Sequence, residues 1–127
     1  METRQQLKSG VYELVANSRA RHDFDFRDQI RASASSGPSN IAEGFGYYRH
    51  KESARHARIA KASLTETHNH LADGVARRYW TDAEAMPLLT LATRAIGATI
   101  GWIRYLESTA APRAYWESKR ERATRKR

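Results

Sequence analysis

Residues 81–106 settle which kind of protein this is: Thr81-Asp82-Ala83-Glu84-Ala85-Met86-Pro87-Leu88-Leu89-Thr90-Leu91-Ala92-Thr93-Arg94-Ala95-Ile96-Gly97-Ala98-Thr99-Ile100-Gly101-Trp102-Ile103-Arg104-Tyr105-Leu106. From Leu88 to Leu106 the run is 19 residues long, close to the about 20 that a membrane span needs. It carries Arg94 and Arg104, each costing about 2.5–3.5 kcal/mol at the centre of a spanning helix, and Thr90, Thr93 and Thr99. It therefore reads as a buried core helix and not as a span. Thr81 and Glu84 form a capping box at its start, the hydroxyl accepting from the Glu84 amide while the carboxylate reaches back. Pro87 lies beyond the free first turn, so a bend is expected there. Leu88, Leu89, Ala92, Ala95, Ile96, Thr99, Ile100, Trp102, Ile103 and Leu106 make a wide apolar face. Gly97 and Gly101 each cost about 1 kcal/mol in helix propensity, so close helix packing is expected to require them. Leu91, Ile100 and Trp102 cannot share one core line with Leu89, Ala92, Ile96 and Ile103. A second apolar face on a small bundle marks a subunit interface.

Working outward, helical spacing appears three more times. Leu7, Val11, Leu14 and Val15 form one stripe of a helix expected over residues 3–21. Phe26, Ile30, Ala34 and Ile41 form another over residues 25–43, with Gly37-Pro38 expected to kink or break it. Ala57, Ala60, Leu64, Leu71 and Val75 form a thin stripe over residues 51–77, interspersed with Ser63 and Thr67. Period-two alternation is missing, so strands are not expected. The expected fold is all-α, an antiparallel up-down-up-down four-helix bundle over residues 1–112 with a basic tail over 113–127.

The chain has 127 residues, with 40% hydrophobic and 28% charged, a balance that folds. Cysteine is absent, which excludes disulfides, thiol catalysis and Cys-ligated zinc. No secretory signal opens the sequence, and a cytoplasmic protein without membrane contact is expected. The formal net charge is +8, which points to an anionic partner. Seven basic residues against two acidic ones place +5 of it on residues 113–127.

The blocks Gln29-Ile30-Arg31-Ala32, Ser36-Gly37-Pro38-Ser39-Asn40-Ile41-Ala42-Glu43-Gly44-Phe45-Gly46 and Ile59-Ala60-Lys61-Ala62-Ser63-Leu64-Thr65-Glu66 together resemble the signature of the bacterial four-helix bundle proteins encoded in intervening sequences of large-subunit ribosomal RNA genes. The resemblance covers residues 29–66 and, by helix pattern, extends to about residue 107. It implies an antiparallel four-helix bundle, often a five-membered ring. A related group, the accessory proteins of diversity-generating retroelements, forms basic barrels that bind nucleic acid and a reverse transcriptase. The resemblance brings no established activity and no catalytic residues. The chain departs from the pattern at Gly37, where the family has an apolar residue, at Ser53 and His56, where it has larger ones, and at Ala62, where it favours glycine.

Gln29, Arg31, Asn40, Glu43, Ser63 and Glu66 are the polar residues of these blocks. They have acid/base capacity, but the expected role is a buried network tying the second helix to the third and satisfying groups freed by Pro38. Two carboxylates without a nucleophile, a metal set or a phosphate loop do not make an enzyme. Glu66 and His70 share a face at i, i+4, yet Asn69 stands where a di-iron bundle needs histidine, so no metal and no cofactor is expected. Arg113, Trp116, Lys119, Arg120, Arg122, Arg125, Lys126 and Arg127 read as an arm for RNA or DNA, cations neutralising phosphates while an aromatic stacks on bases. Arg77 and Arg78, followed by Tyr79 and Trp80, form a smaller basic-aromatic site in which the two aromatics are expected to close the core. The expectation is a non-enzymatic homo-oligomer, a pentamer by the resemblance, that binds nucleic acid. The alternative is a scaffold or adaptor for a protein partner.

Overall fold

The computed structural model describes residues 3–45 and 50–108, leaving out the side chains of 37–45 and 50–51. Among the described residues there are four helices, α1 (Thr3–Ala16), α2 (Phe24–Phe45), α3 (His50–Ala76) and α4 (Asp82–Ser108), with a 3-10 turn over Arg19–His22 between the first two. The expected all-α four-helix arrangement is what the chain adopts. The tail beyond residue 108 lies outside the described residues.

Two boundaries differ from the sequence expectation, each for a local reason. The first helix ends at Ala16 and not near Arg21, because the Ser18 hydroxyl accepts from the Ala20 amide and starts the tighter turn. The second continues through Gly37-Pro38 to Phe45, so the chain does not break there. Asp23 caps α2, its carboxylate accepting from the Phe26 amide at 3.3 Å. The capping box at α4 forms as expected: the Glu84 amide donates to Thr81 Oγ1 and the Thr81 amide to Glu84 Oε1, both at 3.1 Å.

Cross-helix contacts give the sense of each pair. Ser33 meets Thr67 and Ser36 meets Ser63, so numbers rise on α2 as they fall on α3, and the two run antiparallel. Arg58, near the start of α3, pairs with Glu107, near the end of α4, while Trp80 between them turns back to Leu71; α3 and α4 are antiparallel too. One large core holds Leu7, Val11, Val15, Phe26, Ile30, Leu64, Leu71, Trp80, Leu88 and Ala92. It lies toward the end carrying the 3-10 turn and the α3–α4 connection. A smaller cluster, Ala57 and Ala60 under Trp102 and Ile103, lies toward the opposite end, where the slimmer Ser53 and His56 are also buried.

α4 corrects two expectations. It is long and apolar enough to cross a membrane by length and composition, yet only 17% of its most apolar window is buried within the chain. It contributes a single core stripe, Ala85, Leu88, Ala92, Ala95, Thr99 and Leu106, and is not buried all round. A methyl group added at Gly97 or Gly101 would meet nothing within 4 Å, so no packing within the described chain requires these glycines. The cause is the length of α1. It has 14 residues against 27 in α4, about 21 Å against 40 Å at 1.5 Å per residue. Gly10 abuts Leu88, so α1 begins roughly level with Ala95, and the second half of α4 runs past it. Ile96, Ile100, Trp102 and Ile103 are left half-buried. Close approaches occur instead at Gly10, against Leu88, and at Gly74, against the Trp80 indole.

Candidate functional site

The seam between α2 and α3 is built from hydroxyls. Thr67 Oγ1 lies 2.9 Å from both Ser33 Oγ and the Ser63 carbonyl, Ser33 donates to the Ile30 carbonyl at 3.0 Å, and Ser63 donates to Ser36 at 2.8 Å. Small residues at these positions bring the helices close, and each hydroxyl finds a partner, as buried polar groups must. Above the seam runs an open groove of about 560 Å³ lined by Gln29, Ala32, Ser33, Ser36, Ser63, Glu66, Asn69 and His70. The polar ends of Gln29, Glu66 and Asn69 are exposed. His70 packs edge-on to Phe26, with ring centroids 6.0 Å apart. The site thus has a floor of satisfied hydroxyls and a rim of two carboxamides, a carboxylate and an imidazole.

Of the polar residues singled out in the sequence, Gln29, Ser63 and Glu66 come together here. Arg31 does not: its guanidinium lies over the Tyr12 ring at 5.5 Å, between α1 and α2. The side chains of Asn40 and Glu43 lie outside the described residues. The expected buried tie between α2 and α3 exists, but Ser33, Ser36, Ser63 and Thr67 make it, while Gln29 and Glu66 stay at the surface. Ser33, Ser36, Asn69 and His70 do not stand out in the sequence as members of one site. Their signal is the i, i+3, i+4, i+7 spacing of Ser63, Glu66, Thr67 and His70 on α3 opposite Gln29, Ser33 and Ser36 on α2.

At the turn end, Tyr79 and Trp80 close the core as expected. Trp80 is 3% exposed and its indole N–H donates to the Leu71 carbonyl at 2.9 Å; Phe26 packs against Tyr79 at 5.3 Å and Trp80 at 5.8 Å between centroids. The Tyr79 hydroxyl donates to Asp23 Oδ2 at 2.5 Å. This bond, the Phe26 amide and the Arg77 guanidinium hold the Asp23 carboxyl below the usual carboxylate range, while the same bond and burial push the Tyr79 phenol up. Arg77 is committed to Asp73 at 2.8 Å and Asp23 at 3.2 Å and covers the Phe26 ring. Arg78 is exposed and has φ 63°. It occupies the left-handed position of a Schellman turn: the Tyr79 amide donates to the Gly74 carbonyl and the Arg78 amide to that of Val75.

The opposite end is basic. Among the described side chains, Arg55, Arg58, Lys61 and Arg104 stand there against Glu52 and Glu107, a net +2. The half that carries the turn, with α1 alongside it, has Arg4, Lys8, Arg19, Arg21, Arg27, Arg31, Arg77, Arg78 and Arg94 against Glu13, Asp23, Asp25, Asp28, Glu66, Asp73, Asp82 and Glu84, a net +1. Trp102 and Tyr105 stack at 5.5 Å at the basic end, with Tyr105 53% exposed. Arg113, Trp116, Lys119, Arg120, Arg122, Arg125, Lys126 and Arg127 lie outside the described residues; they follow in sequence from α4, whose last residue Ser108 is at this end.

No curated protein matches the chain. A solved structure, that of a protein with unknown function from the S23 ribosomal protein family of Bacteroides thetaiotaomicron, is similar at a TM-score of 0.72 and 19% identity. The match covers 80% of this chain and 94% of that one, a likeness of fold. The family model for the 23S rRNA-intervening sequence protein matches residues 2–100. That match spans α1 to α3, most of α4, the hydroxyl seam and the groove, and by it the chain belongs to the 23S rRNA-intervening sequence protein family.

Proposed function

We propose that the chain is a non-enzymatic, homo-oligomeric helical bundle of the cytoplasm that binds nucleic acid through its basic end and the tail at 113–127. The observation carrying this reading is the group of cations at the end of the bundle where α4 finishes, from which the basic tail follows in sequence. Arg55, Arg58, Lys61 and Arg104 stand at that end against Glu52 and Glu107, and residues 113–127, which follow α4 in sequence, add a net +5. A one-ended cationic surface attracts phosphates and releases their counterions on contact. The exposed Tyr105 ring on Trp102 offers a stacking platform beside those cations. Assembly is supported by the half-buried Ile96, Ile100, Trp102 and Ile103 of α4, which self-association would cover; a ring of five is the assembly that the sequence resemblance implies.

Removing residues 113–127 is expected to lower affinity for a labelled single-stranded RNA by at least about tenfold at 100 mM salt. Arg55→Ala with Arg104→Ala, in the otherwise intact chain, is expected to lower affinity as well. Equal affinity in all three proteins would overturn the reading. The open face of α4 equally favours a second one, a scaffold that seats a protein partner; light scattering showing a monomer that binds no RNA would leave that reading in place of the first.

A further inference from the structure

We infer that the groove between α2 and α3 is a base-reading pocket for an unstacked guanine of single-stranded nucleic acid, an inference that rests on the nucleic-acid reading above. The groove does more than join two helices. The joining is done beneath it by Ser33, Ser36, Ser63 and Thr67, whose hydroxyls satisfy one another and nearby carbonyls. Gln29, Glu66 and Asn69 on its rim take no part in that seam, and their heads are exposed to whatever enters. His70 is steadied against Phe26 and closes one side.

The chemistry of the rim selects among bases. An ionised carboxylate only accepts hydrogen bonds. Guanine presents two adjacent donors on its pairing edge, the ring N1–H and the exocyclic amino group, matching both oxygens of Glu66. Adenine and cytosine each set a ring acceptor beside their amino group and would face the carboxylate with a lone pair. A carboxamide N–H from Asn69 or Gln29 then meets the guanine O6. Reading single-stranded bases on this edge is the usual way RNA sequence is recognised.

The groove is also placed for it. Arg55, Ile59 and Glu66 lie on one stripe of α3, at spacings of four and seven. Arg55 belongs to the basic end and Ile59 is 38% exposed between the two. Eleven residues separate Arg55 from Glu66, about 16 Å along the helix, the reach of a few nucleotides. A strand held by its phosphates at the basic end can extend along α3 and deliver a base to the groove, with the negative Glu66 set away from the cations.

The test uses two fluorescein-labelled RNA decamers, uridine throughout except for two central guanines in one and two central adenines in the other, titrated against the full chain. The guanine decamer is expected to bind about tenfold more tightly. Glu66→Gln, at an exposed position that leaves folding intact, is expected to bring the ratio to about one while the dependence on salt is unchanged. Asn69→Ala is expected to weaken the guanine decamer alone. Equal affinity of the wild-type chain for both decamers overturns the inference while leaving nucleic-acid binding standing, as does a ratio that survives Glu66→Gln. Failure of both decamers to bind at 50 mM salt overturns the nucleic-acid reading and this inference with it.

Discussion

Gly74 sits where a methyl group would collide with the Trp80 indole. The ring is held from behind by Phe26 and by its bond to the Leu71 carbonyl, so it has little room to yield. Gly74→Ala is expected to destabilise the fold by about 1–3 kcal/mol, the usual cost of overpacking, measured by urea unfolding. Arg78 poses the opposite case. An arginine in the left-handed region is strained where glycine is not, and Arg78→Gly is expected to raise stability by up to about 1 kcal/mol. A lower Tm would contradict that assignment. Asp23 ties the turn together through Tyr79, Phe26 and Arg77. Its carboxyl is lowered in the folded chain, so its contribution is present above the unfolded value of about 3.9 and lost as pH falls through and below it. Asp23→Asn is therefore expected to be less stable than wild type at pH 7, with the gap narrowing below pH 4. A gap that stays constant down to pH 3 would show that the carboxylate charge does not matter there.

At the scale of the helices, periodicity and capping are legible in the sequence, and what covers each face is not. The capping box at Thr81 and Glu84 is evident in four letters and forms as expected. Thr81→Ala is expected to cost about 1 kcal/mol. The apolar letters of α4 point to burial, but burial depends on the neighbour's length. α1 has 14 residues against 27 in α4 and begins level with about Ala95, and half of α4 consequently runs past it. Gly97 and Gly101 depart from expectation for the same reason. Since both are open, Gly97→Ala and Gly101→Ala are each expected to stabilise an isolated chain by about 1 kcal/mol through helix propensity. If the chain self-associates closely along this face, the same changes shift the assembly toward monomer, and light scattering alongside melting separates the two effects. The groove is half legible. Gln29, Ser63 and Glu66 stand out as motif residues, but a single helix pattern does not give the register between α2 and α3. That register is what brings Ser33 and Ser36 to Thr67 and Ser63 and sets Asn69 and His70 on the rim.

At the scale of the whole molecule the charge is strongly positive, a formal +8. Net charge alone points to an anionic partner, and the fold adds where: the described cations outnumber anions by two at the end where α3 begins and α4 finishes, and the tail that carries a further +5 follows α4 in sequence. Arg77 shows why composition is not enough, since its charge is spent on Asp23 and Asp73. An oriented charge distribution of this kind steers a polyanion to one end of the molecule. The most direct measurement is the affinity of the full, nuclease-treated chain for a short labelled single-stranded RNA, by fluorescence anisotropy at 50 and 200 mM salt. With about six phosphates engaged, binding should weaken by about two orders of magnitude across that range; no binding at 50 mM, or binding indifferent to salt, would contradict the account.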